Sequence, residues 1–211
     1  MYLRSMYARS TTILGRPEAV DDCVEFVRGE VEPLTSTIDG CLGLSMVVDR
    51  SFGRCIATSA WENLESMILA EDRLAPLRFR AAEILGGEPD VDRWEIALMR
   101  RARPAGEGAW CRIIWARPQE IHIHVVRERL RHPILGEFES VDGFCSASLF
   151  VDRLERLLCS TVTFESRAAL ENCRAEAAAA RERISRETGV EFLEIAEFEL
   201  ALAHLRIPEL V

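Results

Sequence analysis

The sequence predicts an α+β fold of two tandem ferredoxin-like βαββαβ modules packed sheet to sheet, and three observations carry that reading. The first is a repeat: Asp39–Glu62, DGCLGLSMVVDRSFGRCIATSAWE, returns 103 residues later as Asp142–Glu165, DGFCSASLFVDRLERLLCSTVTFE, with 8 of 24 positions identical. Unrelated segments share roughly one or two. The second is the order of periodicities in each half: strand, helix, strand, strand, helix, strand. The third is that strand residues are apolar at both parities, Leu44, Met46 and Val48 against Leu42 and Val47, as expected of sheets covered on both faces. Helices cover only one face of a four-stranded sheet. The sibling module is the nearest cover for the other, giving an intrachain pseudo-dimer with a barrel-like core.

Met6–Leu14 reads as the first strand. Pro17 should open a helix, because a first-turn N–H has no helical acceptor to lose. Val20, Val24, Val27, Val31 and Leu34 recur at spacings of four and three and form its apolar stripe, and Pro33 bends or ends it. Asp39-Gly40 makes a turn. Leu42–Val48 and Arg54–Trp61 are the arms of a hairpin whose reversal uses Asp49-Arg50. Asn63 caps a helix through about Glu71, Pro76 splits it from a second helix ending at Gly86-Gly87, and Val91–Met99 closes the first module.

Arg100–Gly108 has linker character, so the expected domains are residues 1–101, a linker at 102–108, and 109–211. The pattern then restarts. Trp110–Ala116 is a strand, with Arg117-Pro118 answering Arg16-Pro17. Ile123, Val126, Leu130 and Ile134 form a helical stripe, and Phe144–Val151 with Leu157–Phe164 form the second hairpin. Ser166 caps one long helix from Arg167 to Thr188, Gly189 ends it, and Glu191–Leu202 is the last strand. The repeat register is expected to drift from 101 to 104, with insertions in loops.

Composition narrows function. With 211 residues, 48% apolar and 29% charged, the chain suits two globular modules. A net charge of -9 opposes nucleic-acid binding. No stretch approaches the roughly 20 apolar residues that span a bilayer, so no membrane partner is expected and the expected location is cytoplasmic. The 7 cysteines lack Cys-x-x-Cys pairs and fall mostly in apolar strand patterns, which favours free buried thiols over disulfides or a metal site. His122 and His124, two apart on an expected helix, point away from each other and cannot share an ion. No metal site is expected.

DGCLGLSMVVDR followed by ATSAWENLESM, and DGFCSASLFVDR followed by STVTFESRAAL, resemble the antibiotic biosynthesis monooxygenase domain of the dimeric α/β-barrel superfamily, in two fused copies. The resemblance covers about residues 6–100 and 109–203. It implies a dimeric α/β barrel built within one chain. It also implies an oxidoreductase resembling the cofactor-independent monooxygenases that oxidise polyaromatic phenols with O2, so a small aromatic molecule and O2 are the expected partners and no cofactor is required. Further association into a homodimer remains open. The family's strand-end Trp falls on Trp61, with Phe164 its equivalent in the second copy. The family's functional Asn falls on Arg9 in one copy and on Trp110 in the other. The His of the heme-degrading branch has no counterpart on the helices that follow the hairpins.

These four residues, Trp61, Arg9, Phe164 and Trp110, are the candidate substrate-binding set. Each also has a plainer reading. A strand-end Trp is ordinary core, and an Arg inside an apolar strand can serve an ion pair as well as a phenolate. The alternative function is a non-catalytic ligand-binding or scaffold protein with degenerate pockets.

Overall fold

In a computed structural model the described residues are 5–106, 108–119 and 141–205. Eight antiparallel strands run β1 (Tyr7–Leu14), β2 (Cys41–Asp49), β3 (Arg54–Trp61), β4 (Pro89–Arg101), β5 (Trp110–Arg117), β6 (Phe144–Asp152), β7 (Leu157–Phe164) and β8 (Glu191–Leu205). The helices described are α1 (Val20–Phe26), α2 (Glu32–Thr35), α3 (Leu64–Leu69), α4 (Glu71–Leu85), α5 (Arg167–Asn172) and α6 (Arg174–Thr188). The helix expected around Ile123–Ile134, with His122 and His124, lies outside the described residues.

The described residues form two compact units: 5–95 with 200–205, and 96–199. Strand β4 therefore starts in the first unit and finishes in the second, and β8 does the reverse. In the first unit hydrogen-bonded neighbours run β4, β1, β3, β2, β8; in the second they run β8, β5, β7, β6, β4. The strand order β1-β3-β2-β8-β5-β7-β6-β4 closes on itself, and the fold class is the α+β dimeric α/β barrel that the sequence predicts.

Local chemistry explains the repeat. Asp49 and Asp152 each accept two backbone N–H bonds across the hairpin reversal, from Ser51 and Phe52 and from Leu154 and Glu155, the short-range bonding that makes Asp a turn residue. Gly40 and Gly143 have φ of 77° and 82°, and a Cβ there would meet Ser66 Oγ at 2.4 Å or Ala169 Cβ at 2.7 Å. Asn63 Oδ1 accepts from Ser66 N at 2.8 Å and Ser166 Oγ from Ala169 N at 3.2 Å, as expected of N-caps.

Two expectations are corrected and one is narrowed. Of the two outcomes expected at Pro33, bending or ending the first helix, it does not end it: Val27–Val31 widens into a π turn and α2 continues to Thr35. Proline lacks the N–H that would bond the carbonyl four residues back and crowds that carbonyl, and a wider turn relieves both problems. Pro76 does not split the helices, because the break falls at Ala70 and Pro76 sits exposed inside α4, where the carbonyl it leaves unbonded can meet water. The long helix from Arg167 is likewise two helices, broken at Cys173, the residue 103 after Ala70.

Each unit has a core between its sheet and its helices. In the first, Val20, Val24 and Val27 of the helical stripe with the neighbouring Cys23, and Ala81, Ala82 and Leu85 of α4, close on Leu44, Met46, Val48 and Cys55. In the second, Leu170, Cys173 and Ile184 close on Leu149, Val151, Leu158 and Val162.

Candidate functional site

Alternation along β1 turns Arg9, Thr11 and Ile13 to the helix side, where β3 presents Cys55, Ala57 and Ser59 and β2 presents Leu44 and Met46. Together with residues of the helical stripe and of α4 they line a cleft of about 590 Å³ including its mouth. It lies within the range of small-molecule sites. The walls are apolar except for Arg9, Ser59, Thr11, Thr35 and Arg78.

Arg9 is buried, with 2% of its side chain exposed. Its Nη2 donates to the carbonyl of Met67 at 2.9 Å, one of the last-turn acceptors that α3 leaves unbonded before the break at Ala70. Its Nη1 lies 2.7 Å from Glu71 Oε2, yet the pair is not aligned for a hydrogen bond. Among the described residues Nε, Nη1 and that carboxylate oxygen have no hydrogen-bond partner. Burial pushes the Arg9 pKa down, Glu71 pushes it up, and Arg78 and Arg93 add to the lowering. Glu71 also holds Arg78.

The second unit repeats the cleft at a spacing of 103. Arg112, Ile114, Leu149, Ser160, Arg181 and Ile184 stand where Arg9, Thr11, Met46, Ala57, Arg78 and Ala81 stand in the first, around about 700 Å³ including its mouth. Arg112 donates to the carbonyl of Leu170 at 3.3 Å, the residue 103 after Met67. Its carboxylate partner, however, comes from another element. In the first unit the acid is Glu71 on α4, and the residue across β4 from Arg9 is Arg93. In the second, α6 carries Arg174 at the position of Glu71, and the residue across β8 from Arg112 is Glu197. Glu197 takes both arginines, at 2.7 Å from each. Burial pushes its carboxyl up, but the hydrogen bonds and charges of Arg174 and Arg112 outweigh that and hold it below the usual range.

The strand registers also fix the alignment of the copies. Tyr7 stands opposite Trp61, and Trp110 opposite Phe164, so the counterpart of Arg9 is Arg112 and that of Trp110 is Tyr7. The drift to 101 begins only after β5, where Gly15-Arg16 has no equivalent.

The four candidate residues do not converge on one cleft. Arg9 lines the first. Trp61 is fully buried behind it among Met67, Ala70 and Leu74 and reaches it through Ser59, whose Oγ accepts from Trp61 Nε1 at 3.0 Å. Phe164 is fully buried against the edge of Phe144 at 6.1 Å. Trp110 is half-buried, and the Arg167 guanidinium lies 4.9 Å over its ring. Arg112, Arg78, Arg181, Glu71 and Glu197 escaped the sequence reading. Carrying the 103-residue spacing back unbroken from the hairpin to β1 would have paired Arg9 with Arg112.

No family model matches the chain. Curated relatives and solved structures do. The uncharacterized protein Rv2558 of Mycobacterium tuberculosis is 49% identical over 207 residues, covering 98% of this chain and 88% of its own length. Rv2557 of the same organism is 46% identical over 206 residues, covering 98% and 92%. Among solved structures, an anthrone oxidase-like protein superposes with a TM-score of 0.61 at 14% identity, over 96% of this chain and 93% of that one. A Listeria monocytogenes ferredoxin fold protein related to antibiotic biosynthesis monooxygenases does so with 0.56 at 9% identity, over 94% and 96%. The chain thus belongs to the family of Rv2557 and Rv2558, and its fold is that of the proteins related to antibiotic biosynthesis monooxygenases.

Proposed function

We propose that the protein is a cofactor-independent monooxygenase-like enzyme whose first cleft takes a small hydroxylated aromatic molecule as its phenolate. One observation carries the reading: a buried guanidinium, Arg9, on the wall of a largely apolar cleft, with Nε lacking a hydrogen-bond partner among the described residues. An anion delivered there gains charge-assisted hydrogen bonds in a low dielectric. The same cation favours the deprotonated substrate. An electron-rich phenolate can supply the electrons itself: a ring methylene carbon becomes a carbonyl, O2 gives one oxygen to that carbon, and the other leaves as water with the two hydrogens removed. The chain contributes orientation, exclusion of water and the positive charge.

A second reading, binding without turnover, is favoured by the lining. Among the described residues of the first cleft none carries a carboxylate or imidazole to accept a proton. Oxygen uptake with a panel of hydroxylated polyaromatics that carry a ring methylene separates the two. The enzyme should consume O2 above the protein-free rate, and Arg9→Gln should lower kcat/KM at least tenfold while Trp61→Phe changes it little. Binding of the same compounds without O2 uptake selects the second reading, and neither binding nor uptake removes both.

A further inference from the structure

The two clefts keep an arginine at one place, Arg78 on α4 and Arg181 on α6. The acid that serves Arg78 is Glu71, seven residues earlier on the same helix. At that position α6 has Arg174, and the compensating acid on β8, Glu197, is taken up by Arg112 and Arg174. The exchange of charge between helix and strand preserves the ion pair of the deep arginine and strands the outer one. Arg181 is half-buried, lines the cleft, and has no carboxylate partner among the described residues. Burial and then the nearby Arg112 guanidinium push its pKa down, more than Cys173 and Glu182 raise it, as for a cation that the described residues compensate only in part.

The other described lining residues are aliphatic apart from Arg112, Ser160 and Phe192. From this we infer that the second cleft is a binding site for a monocarboxylic acid with an apolar body, its carboxylate held by Arg181 and its body between the sheet and α6. Arginine suits the task because its planar fork meets a carboxylate through two parallel hydrogen bonds. The site is independent of the oxygenase reading, which concerns the first unit.

Calorimetric titration of the full chain with 2-naphthoate, and with 2-naphthylmethanol as its neutral analogue, tests the inference. The naphthoate should bind at least tenfold more tightly than the alcohol, consistent with a charge-assisted contact. In Arg181→Gln that preference should vanish at one site per chain, and Arg181→Lys should restore part of it. Without ligand, Arg181→Gln should melt at or above the wild-type temperature, because an uncompensated half-buried charge is removed. Equal binding of acid and alcohol, binding of neither, a preference that survives Arg181→Gln, or a lower melting temperature for that variant overturns the inference. Because O2 uptake reads the first cleft, failure there and failure here are separable.

Discussion

Burying a guanidinium costs several kcal/mol unless an anion and aligned acceptors accompany it, and Arg9 and Arg112 each meet that cost with one glutamate from a different element. The two arrangements should respond differently to loss of the acid. Glu71 is 37% exposed and Glu197 22%, and Glu197 serves two arginines with aligned bonds. Glu197→Gln is therefore expected to destabilise by about 2–4 kcal/mol and Glu71→Gln by about half of that, on the scale of broken buried pairs, measurable by urea denaturation. The sign with pH follows from the depressed Glu197 carboxyl. Its stabilisation is complete above the unfolded Glu carboxyl pKa of about 4.3 and is lost as pH falls through the folded value. Wild type should lose stability in acid more steeply than Glu197→Gln, as followed by denaturation between pH 7 and 3. The thiols give a second check. Cys111 is buried in its strand, and burial pushes it up to about 12, while Cys41 alone of the seven is half-buried rather than buried. A thiol reagent at pH 8 should modify Cys41 first and Cys111 only on unfolding.

At the scale of elements, the six-residue helices α3 and α5 are too short to stand by propensity. A cap bond, packing, and the arginine at the last-turn carbonyls hold them. Asn63→Ala and Ser166→Ala should each cost about 1 kcal/mol, seen as a lower midpoint in chemical denaturation. The order of the described elements, the hairpins, both caps and the Asp-Gly turns were legible because they depend on neighbours within a few residues. The helix breaks at Ala70 and Cys173 were not. No Gly or Pro marks them, and their carbonyls are met by arginines 58 residues earlier in sequence. Sequence pattern placed the break at Pro76 instead, where exposure makes proline tolerable. The candidate site was legible only through Arg9. Glu71 stood out only as the end of a helix and Glu197 not at all, and Trp61 takes its place behind the cleft from packing that no periodicity records.

At the scale of the whole chain, the repeat is visible in sequence, but the assignment of strand ends to units is not. Leu202 belongs to the hydrophobic core of the first unit, and the exposed Arg28 of the Val27–Val31 π turn donates to the carbonyl of Ala201 at 3.1 Å. Leu202→Ala should cost about 2–4 kcal/mol, the range for a buried leucine. Ending the chain at Glu199 should do more, leaving β2 without its β8 neighbour and the first core without a wall. The expected readout is loss of the cooperative near-ultraviolet transition reported by Trp61 and Trp94, while the first 95 residues expressed alone should not show that transition. The feature also has a consequence in time. A ribosome releases the chain from its amino end, yet the first unit needs residues 200–205, which are made after the whole of Ile96–Glu199, so the nascent first half must wait, incompletely folded, until the second has emerged.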